Sequence, residues 1–296
     1  MPTGAIEEHS FKLNAGKLPT EKGEELYIRG EVRVLEEQAD NLLSLKPVLI
    51  ISHGFKGFKD WGFFPYAASQ FALQGFYVVT FNFSCNGVNE TDFDELDKFS
   101  FNTYSREQAD LSLLLQALLA KQLPESERAD LQRVYLLGHS RGGGNSILFA
   151  SEHSEVKAVI TWNGNGNADL FDEAFKATIA EHGIAYVANA RTKQQMPIRR
   201  DFYEDLAEHP SRYHIPGRLS ALGIPVLQLQ GNKDSERLQA GFQTLRQAAP
   251  QHRSVTITGG THTFGAVHPF AGTTEQLEEA IRLTVDFLKD IPHTAD

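Results

Sequence analysis

Short apolar runs rich in β-branched and aromatic residues recur along the chain at 48–52, 77–81, 134–137, 156–161, 226–229 and 255–258. Each run reads as a strand buried on both faces. Between them lie segments of helical spacing at 65–74, 106–121, 143–151, 237–248 and 274–289. Regular alternation of strand and helix predicts an α/β fold: a mostly parallel central sheet with helices on both faces. Residues 26–35 alternate polar and apolar side chains, and 11–13 offer a partner, so the sheet is expected to begin with an antiparallel edge. The stretch from about 163 to 216 breaks the rhythm with mixed helical and irregular character, longer than an ordinary strand connection. A chain of 296 residues of this pattern is expected to form a single domain, 1–296, with 163–216 as a small cap insertion within it. No internal repeat appears, which removes solenoid readings.

Composition narrows the partners. The formal net charge of -10 argues against nucleic acid, because phosphate binding needs a basic face. Cys85 is the one cysteine, so the chain cannot form an internal disulfide or a cysteine-based metal cluster. Glu7, Glu8, His9 and Lys12 stand where a signal peptide would need an apolar core, and no run approaches membrane-spanning length. The expectation is a cytoplasmic, unanchored protein with no metal; its oligomeric state cannot be read from the sequence.

Gly138-His139-Ser140-Arg141-Gly142 follows the strand at 134–137 directly and leads into a small-residue segment beginning Gly143-Gly144-Asn145. A Gly-x-Ser-x-Gly pentapeptide is weak evidence by itself. Placed between strand and helix it reads as a nucleophile elbow, in which the turn pushes the serine oxygen clear of the backbone and the glycines let strand and helix approach.

A serine hydroxyl is a poor nucleophile at neutral pH and needs a base, which in turn needs an orienting partner. After such an elbow the acid precedes the histidine in the chain. Asp234 follows the strand at 225–230 in Gly231-Asn232-Lys233-Asp234, and His262 follows the strand at 254–258 in Gly260-Thr261-His262-Thr263-Phe264. An aspartate after a strand is ordinarily a solvated loop residue or a helix cap. It is the combination with Ser140 and His262, in that order, that makes Asp234 the candidate. His268 competes as base and Asp169 as acid. The developing oxyanion calls for two backbone N–H donors. Arg141, next after the serine, supplies one; the loop His53-Gly54-Phe55-Lys56-Gly57 supplies the other, with Phe55 the chosen residue.

With these residues in place the sequence resembles the α/β-hydrolase superfamily over nearly its whole length. Within it, His53-Gly54-Phe55, Gly138-His139-Ser140-Arg141-Gly142-Gly143, Gly231-Asn232-Lys233-Asp234 and His262-Thr263-Phe264 are similar to the dienelactone-hydrolase-like branch that includes cinnamoyl and feruloyl esterases. The resemblance implies a hydrolase of carboxylic esters or thioesters of small molecules, without metal or cofactor, carrying a cap over its pocket. Dienelactone hydrolases use a cysteine nucleophile; Ser140 stands here instead, so the lactone substrate does not carry over. Ser140 also departs from the carboxylate nucleophile of dehalogenases and epoxide hydrolases of this fold.

The reading of function is a carboxylesterase working through an acyl-enzyme on Ser140, His262 and Asp234. An acyltransferase, a small peptidase and a catalytically silent scaffold used for binding are its rivals. In the insertion, Arg191, Lys193, Arg199 and Arg200 gather positive charge around Met196-Pro197-Ile198. The ordinary reading of such a cluster is a solvated face. Placed over the elbow, Trp162, Met196, Phe202 and Tyr203 would instead wall an apolar pocket, with an arginine, Arg199 among the candidates, reading an anionic part of the substrate.

Overall fold

The computed structural model describes residues 4–36 and 44–292. In chain order the first half runs β1 (Ile6–Lys17), β2 (Glu25–Leu35), β3 (Lys46–Ser52), α1 (Phe64–Leu73), β4 (Tyr77–Asn82), α2 (Leu96–Phe99), α3 (Tyr104–Leu119), β5 (Ala129–His139), α4 (Arg141–Ala150) and β6 (Val156–Trp162). The expected insertion holds α5 (Glu173–His182), β7 (Ile184–Ala188), β8 (Gln195–Arg199) and α6 (Asp201–Glu208), and its expected end at 216 falls inside α7 (Ile215–Ala221). The chain closes with β9 (Val226–Gly231), α8 (Glu236–Ala248), β10 (Arg253–Ile257) and α9 (Glu275–Lys289).

One eight-stranded sheet has the order β1-β2-β4-β3-β5-β6-β9-β10. The first two pairings, β1 with β2 and β2 with β4, are antiparallel, and the rest are parallel. The antiparallel edge foreseen at 11–13 is therefore present, with Phe11 opposite Gly30. Alternation along each central strand divides the core in two. Val48, Ile50, Val134 and Leu136 face one layer with Leu111, Leu114 and Leu118 of α3 and Ile147 of α4. Leu49, Ile51, Tyr135 and Leu137 face the other, with Phe71 of α1 and Leu277 and Leu288 of α9. A one-residue slip would exchange these faces, and each fully buried Val, Leu or Ile contributes about 1.5–3 kcal/mol, so the register has a single solution.

Burial on both faces does not extend to β10. It lies at the end of the sheet and exposes Arg253 and Thr256, because it has one neighbouring strand instead of two. The segment after β6 also differs from its expected irregular character, since β7 and β8 form a separate antiparallel pair, with Tyr186 opposite Pro197. As β6 and β9 are parallel neighbours, this segment leaves from the carboxyl end of one and returns to the amino end of the next. In an open parallel sheet that carboxyl edge is where ligands bind. No helix among the described residues is long and apolar enough to cross a membrane, and no group of three or more His, Cys, Asp or Glu among them could hold a metal ion.

Candidate active site

β5 ends at His139 and α4 begins at Arg141, so Ser140 alone makes the turn, at φ 57° and ψ -122°. An L-residue is strained there, and such strain persists only where the surroundings impose it. They do so through backbone. A Cβ on Gly138 would stand 2.0 Å from the carbonyl oxygen of Gly142, and one on Gly142 would stand 2.4 Å from that of Ser52. The serine itself is pinned by its N–H to the carbonyl of Trp162 at 2.9 Å, while its own carbonyl accepts from Gly143 and Asn165.

The ends of β9 and β10 bring the other two residues to this point. The Ser140 Oγ hydroxyl donates to His262 Nε2 at 3.0 Å, and His262 Nδ1–H donates to Asp234 Oδ2 at 2.9 Å. Asp234 also accepts from the Ser235 N–H at 2.7 Å and the Gln230 amide at 3.1 Å, with its side chain 2% exposed. Burial favours the neutral acid, but the hydrogen bond and charge of His262, with those two further donors, hold the carboxyl below the usual aspartate range. An ionised Asp234 fixes the imidazole tautomer with its proton on Nδ1, leaving Nε2 free to accept from the serine. The arrangement can pass a proton from Ser140 to His262 while an anion supports the charge.

Two further histidines surround this relay and are not bases. His139 is pushed down to about 3, mainly by burial, and its Nε2–H donates to the carbonyl of His262 at 2.8 Å. His53 is pushed down to about 4 by burial; it donates from Nδ1 to the carbonyl of Gly54 at 2.9 Å and accepts from the N–H of Phe83 at 3.4 Å. It thereby fixes the loop after β3, which descends onto the serine so closely that a Cβ on Gly54 would lie 2.8 Å from that of Ser140.

Phe55 lies in that loop, and Arg141 opens α4, where the first N–H groups of a helix have no intrahelical acceptor. The Arg141 side chain points elsewhere: it is 1% exposed, 3.2 Å from Glu107 and 4.4 Å above the Tyr104 ring. A cavity of about 290 Å³ adjoins Ser140, lined by the loop 54–57, Trp61, Phe64, His139, His262, Thr263 and the turn Asn189-Ala190-Arg191 between β7 and β8.

The expected pocket walls are not those found. Trp162 shares a strand face with Ala158 and Ile160, so it packs into the core with Phe71 and Phe264 and donates to Thr284 at 3.0 Å. Met196 is fully buried because β8 turns that face onto the core. Tyr203 donates to Asp169 at 3.0 Å, and Arg199 covers the Phe101 ring beside Asp201. Arg200 lies against Gly183. None of these five lines the cavity at Ser140; Arg191 does. The competing acid Asp169 pairs with Lys176 at 2.5 Å, and the competing base His268 accepts from the Gly62 N–H while stacking on Trp61. Neither bonds to Ser140 or His262. The sequence assigns no role to Asn163 or His139, gives His53 only as part of the loop that supplies an oxyanion donor, and marks Arg191 among the clustered arginines without placing it in a turn. The run Asn163-Gly164-Asn165-Gly166 signals a turn, but not what its side chains reach.

A serine on a strained turn at the carboxyl edge of a mostly parallel sheet, within reach of a histidine and a buried aspartate from two later strand ends, defines an α/β-hydrolase. The chain belongs to the dienelactone hydrolase family, whose model matches residues 37–291. The protein is a hydrolase. Among solved structures it is similar to Est1E from Butyrivibrio proteoclasticus, with 16% identity over 89% of this chain and 94% of that one, at a TM-score of 0.60. It is similar also to the dienelactone hydrolase from Anabaena variabilis ATCC 29413, at 14% identity over 95% and 97% of the two chains and a TM-score of 0.58. A third is the esterase domain of a Rhodothermus marinus protein, at 17% identity over 95% and 98% and a TM-score of 0.57. No curated protein matches it by sequence.

Proposed function

We propose that this hydrolase cleaves small carboxylic esters or thioesters through an acyl-enzyme on Ser140. The observation that carries the reading is the continuous line of contacts from Ser140 Oγ through His262 to Asp234, at 3.0 and 2.9 Å, beside a cavity. His262 takes the hydroxyl proton as Ser140 attacks the carbonyl carbon, then returns a proton to the departing alcohol or thiol. Water, deprotonated by the same imidazole, resolves the acyl-enzyme, and Asp234 orients the ring throughout. The N–H groups of Phe55 and Arg141 receive the oxyanion; the second is reinforced by the positive end of α4.

The match to the dienelactone hydrolase family and the likeness to an esterase domain support an ester as the substrate class. In this reading residues 163–216 cap a single domain, and Arg191 replaces Arg199 as the arginine that meets an anionic group of the substrate, because it is the one in the cavity wall. The location proposed is cytoplasmic, in keeping with an unpaired, buried Cys85. A fluorophosphonate probe tests the chemistry: mass spectrometry is expected to find the adduct on Ser140, and an ester panel of short, long and aromatic acyl groups to find turnover with water as acceptor. A folded preparation that resists the probe would sink the reading in favour of a silent scaffold. Turnover confined to amides, or to transfer onto a non-water acceptor, would replace the esterase with a peptidase or an acyltransferase.

A further inference from the structure

Asp234 and His262 hang from different strands, yet the imidazole has to meet both Asp234 and Ser140 within a few tenths of an ångström. Asn163, the residue after β6, lies between the two segments and is fully buried. Its Oδ1 accepts the N–H of Gly231, where the acid loop begins, at 2.7 Å. Its Nδ2 donates to the carbonyl of His262 at 2.9 Å and to that of Thr261 at 3.2 Å. All three partners are backbone groups of the segments that carry the acid and the base. Its own N–H donates to the carbonyl of Leu229 in β9 at 2.8 Å. The residue sits at φ 49°, in the left-handed region that asparagine tolerates better than most side chains.

We propose that Asn163 is a positioning residue, a brace that holds the His262 peptide in register with the Asp234 loop and so aims the imidazole. The inference rests on the proposed relay. It assigns the amide a part in catalysis beyond satisfying buried groups. The carbonyl of His262 is gripped from two sides, by Asn163 and by His139 Nε2 at 2.8 Å, and a peptide so fixed leaves the Cα–Cβ bond one direction. Outer partners of this kind act by orienting the group that reacts, and a displacement of about 1 Å costs on the order of 100-fold in rate.

Asn163→Gly is the informative variant, because glycine accepts the left-handed φ without strain and only the amide is removed. The expected result is kcat lower by about 10-fold to 100-fold, KM within about 2-fold, and phosphonylation of Ser140 slowed in the same ratio. Leu115→Ala, in the core layer of α3, gives a comparison lowered in Tm with kcat retained. Asn163→Asp, of equal size but without the two donors, is expected to lose kcat in the same direction and decides the matter where the glycine variant does not fold. A folded Asn163→Gly or Asn163→Asp protein with wild-type kcat overturns the brace while leaving the relay intact, provided Ser140→Ala is inactive. An active Ser140→Ala protein overturns the relay, and the brace with it.

Discussion

The wall of the cavity that carries Ser140 is held by backbone against backbone, whereas the wall facing it, the turn Asn189-Ala190-Arg191, is closed by its own hairpin bonds but meets the rest of the molecule through side chains. Around the elbow, Gly138, Gly142 and Gly143 stand where a Cβ would meet main-chain atoms at 2.0 to 2.9 Å, leaving nothing free to give way. The turn is secured by the Lys56 ammonium on the carbonyl of Ala188 at 3.2 Å, by Gln194 on that of Phe93 at 2.9 Å, and by the pairing of Arg191 with Asp92. Inside it, the Asn189 side chain accepts from the N–H of Arg191 at 3.2 Å. Backbone contacts leave one sequence solution, while side-chain contacts can be exchanged without moving the frame. Under the proposed function, bond-breaking chemistry therefore belongs to the rigid wall, and the choice of substrate to the other.

The hardest blow to that contrast comes from Gly142→Ala. Its methyl would lie 2.4 Å from the carbonyl oxygen of Ser52 and 2.6 Å from that of His53, an overpacking that costs about 3 kcal/mol or more. Complete loss of activity with a lowered Tm is expected; a soluble, active Gly142→Ala enzyme would mean that the wall is not rigid. Next in size is Asp234→Asn. An ionised, buried partner of the imidazole becomes neutral, and kcat on a neutral ester is expected to fall by about 10⁴-fold with the fold intact. Asp169→Asn, whose partners Tyr203 and Lys176 lie off the relay, should leave kcat nearly unchanged. A larger loss from Asp169 would transfer the acid role to it.

The helix backing the elbow adds a dependence on pH. Asp110 in α3 is pushed up to about 6, chiefly by burial, against the pull of Arg106 and the Ser84 donors. Its folded pKa therefore exceeds an unfolded value of about 3.9. Between these two values the unfolded chain ionises first, so Asp110 lowers stability as pH rises from about 4 to about 6, by up to about 3 kcal/mol, and leaves a constant penalty above. Urea midpoints followed across that window should show a downward component that Asp110→Asn removes. Identical slopes in both proteins would refute it.

The smallest effect belongs to the side-chain wall. Arg191→Ala should raise KM by about 5-fold to 10-fold for an ester bearing a carboxylate and leave kcat on the matched neutral ester unchanged. Arg199→Ala and Arg200→Ala, outside the cavity, should treat both esters alike. If all three variants behave identically, the cap arginines are solvated surface and the division between the walls fails.

Much of the molecule follows from local pattern. Continuous apolar runs such as 48–52 and 134–137 specify buried parallel strands, because side-chain direction has period two and both faces must be apolar. The elbow is legible for a related reason: the strained turn at Ser140 admits few sequences, and glycines on either side are the residues its backbone contacts tolerate. The order of Ser140, Asp234 and His262 can be read as well, since each follows a recognisable strand and parallel strands end on one edge. The pocket is not legible. Trp162 and Met196 are apolar and belong to segments expected over the elbow, but strand alternation and the inward face of β8 send both into the core. The pair β7 and β8 is hidden because runs as short and mixed as 184–188 gain their strand character from each other rather than from composition. Which of the clustered arginines enters the cavity, and that Asn163 reaches two other loops at once, depend on distances between segments up to 99 residues apart in sequence. Local pattern fixes where chain direction and burial must alternate, while side-chain contacts between remote segments exist only once the sheet has brought their ends together.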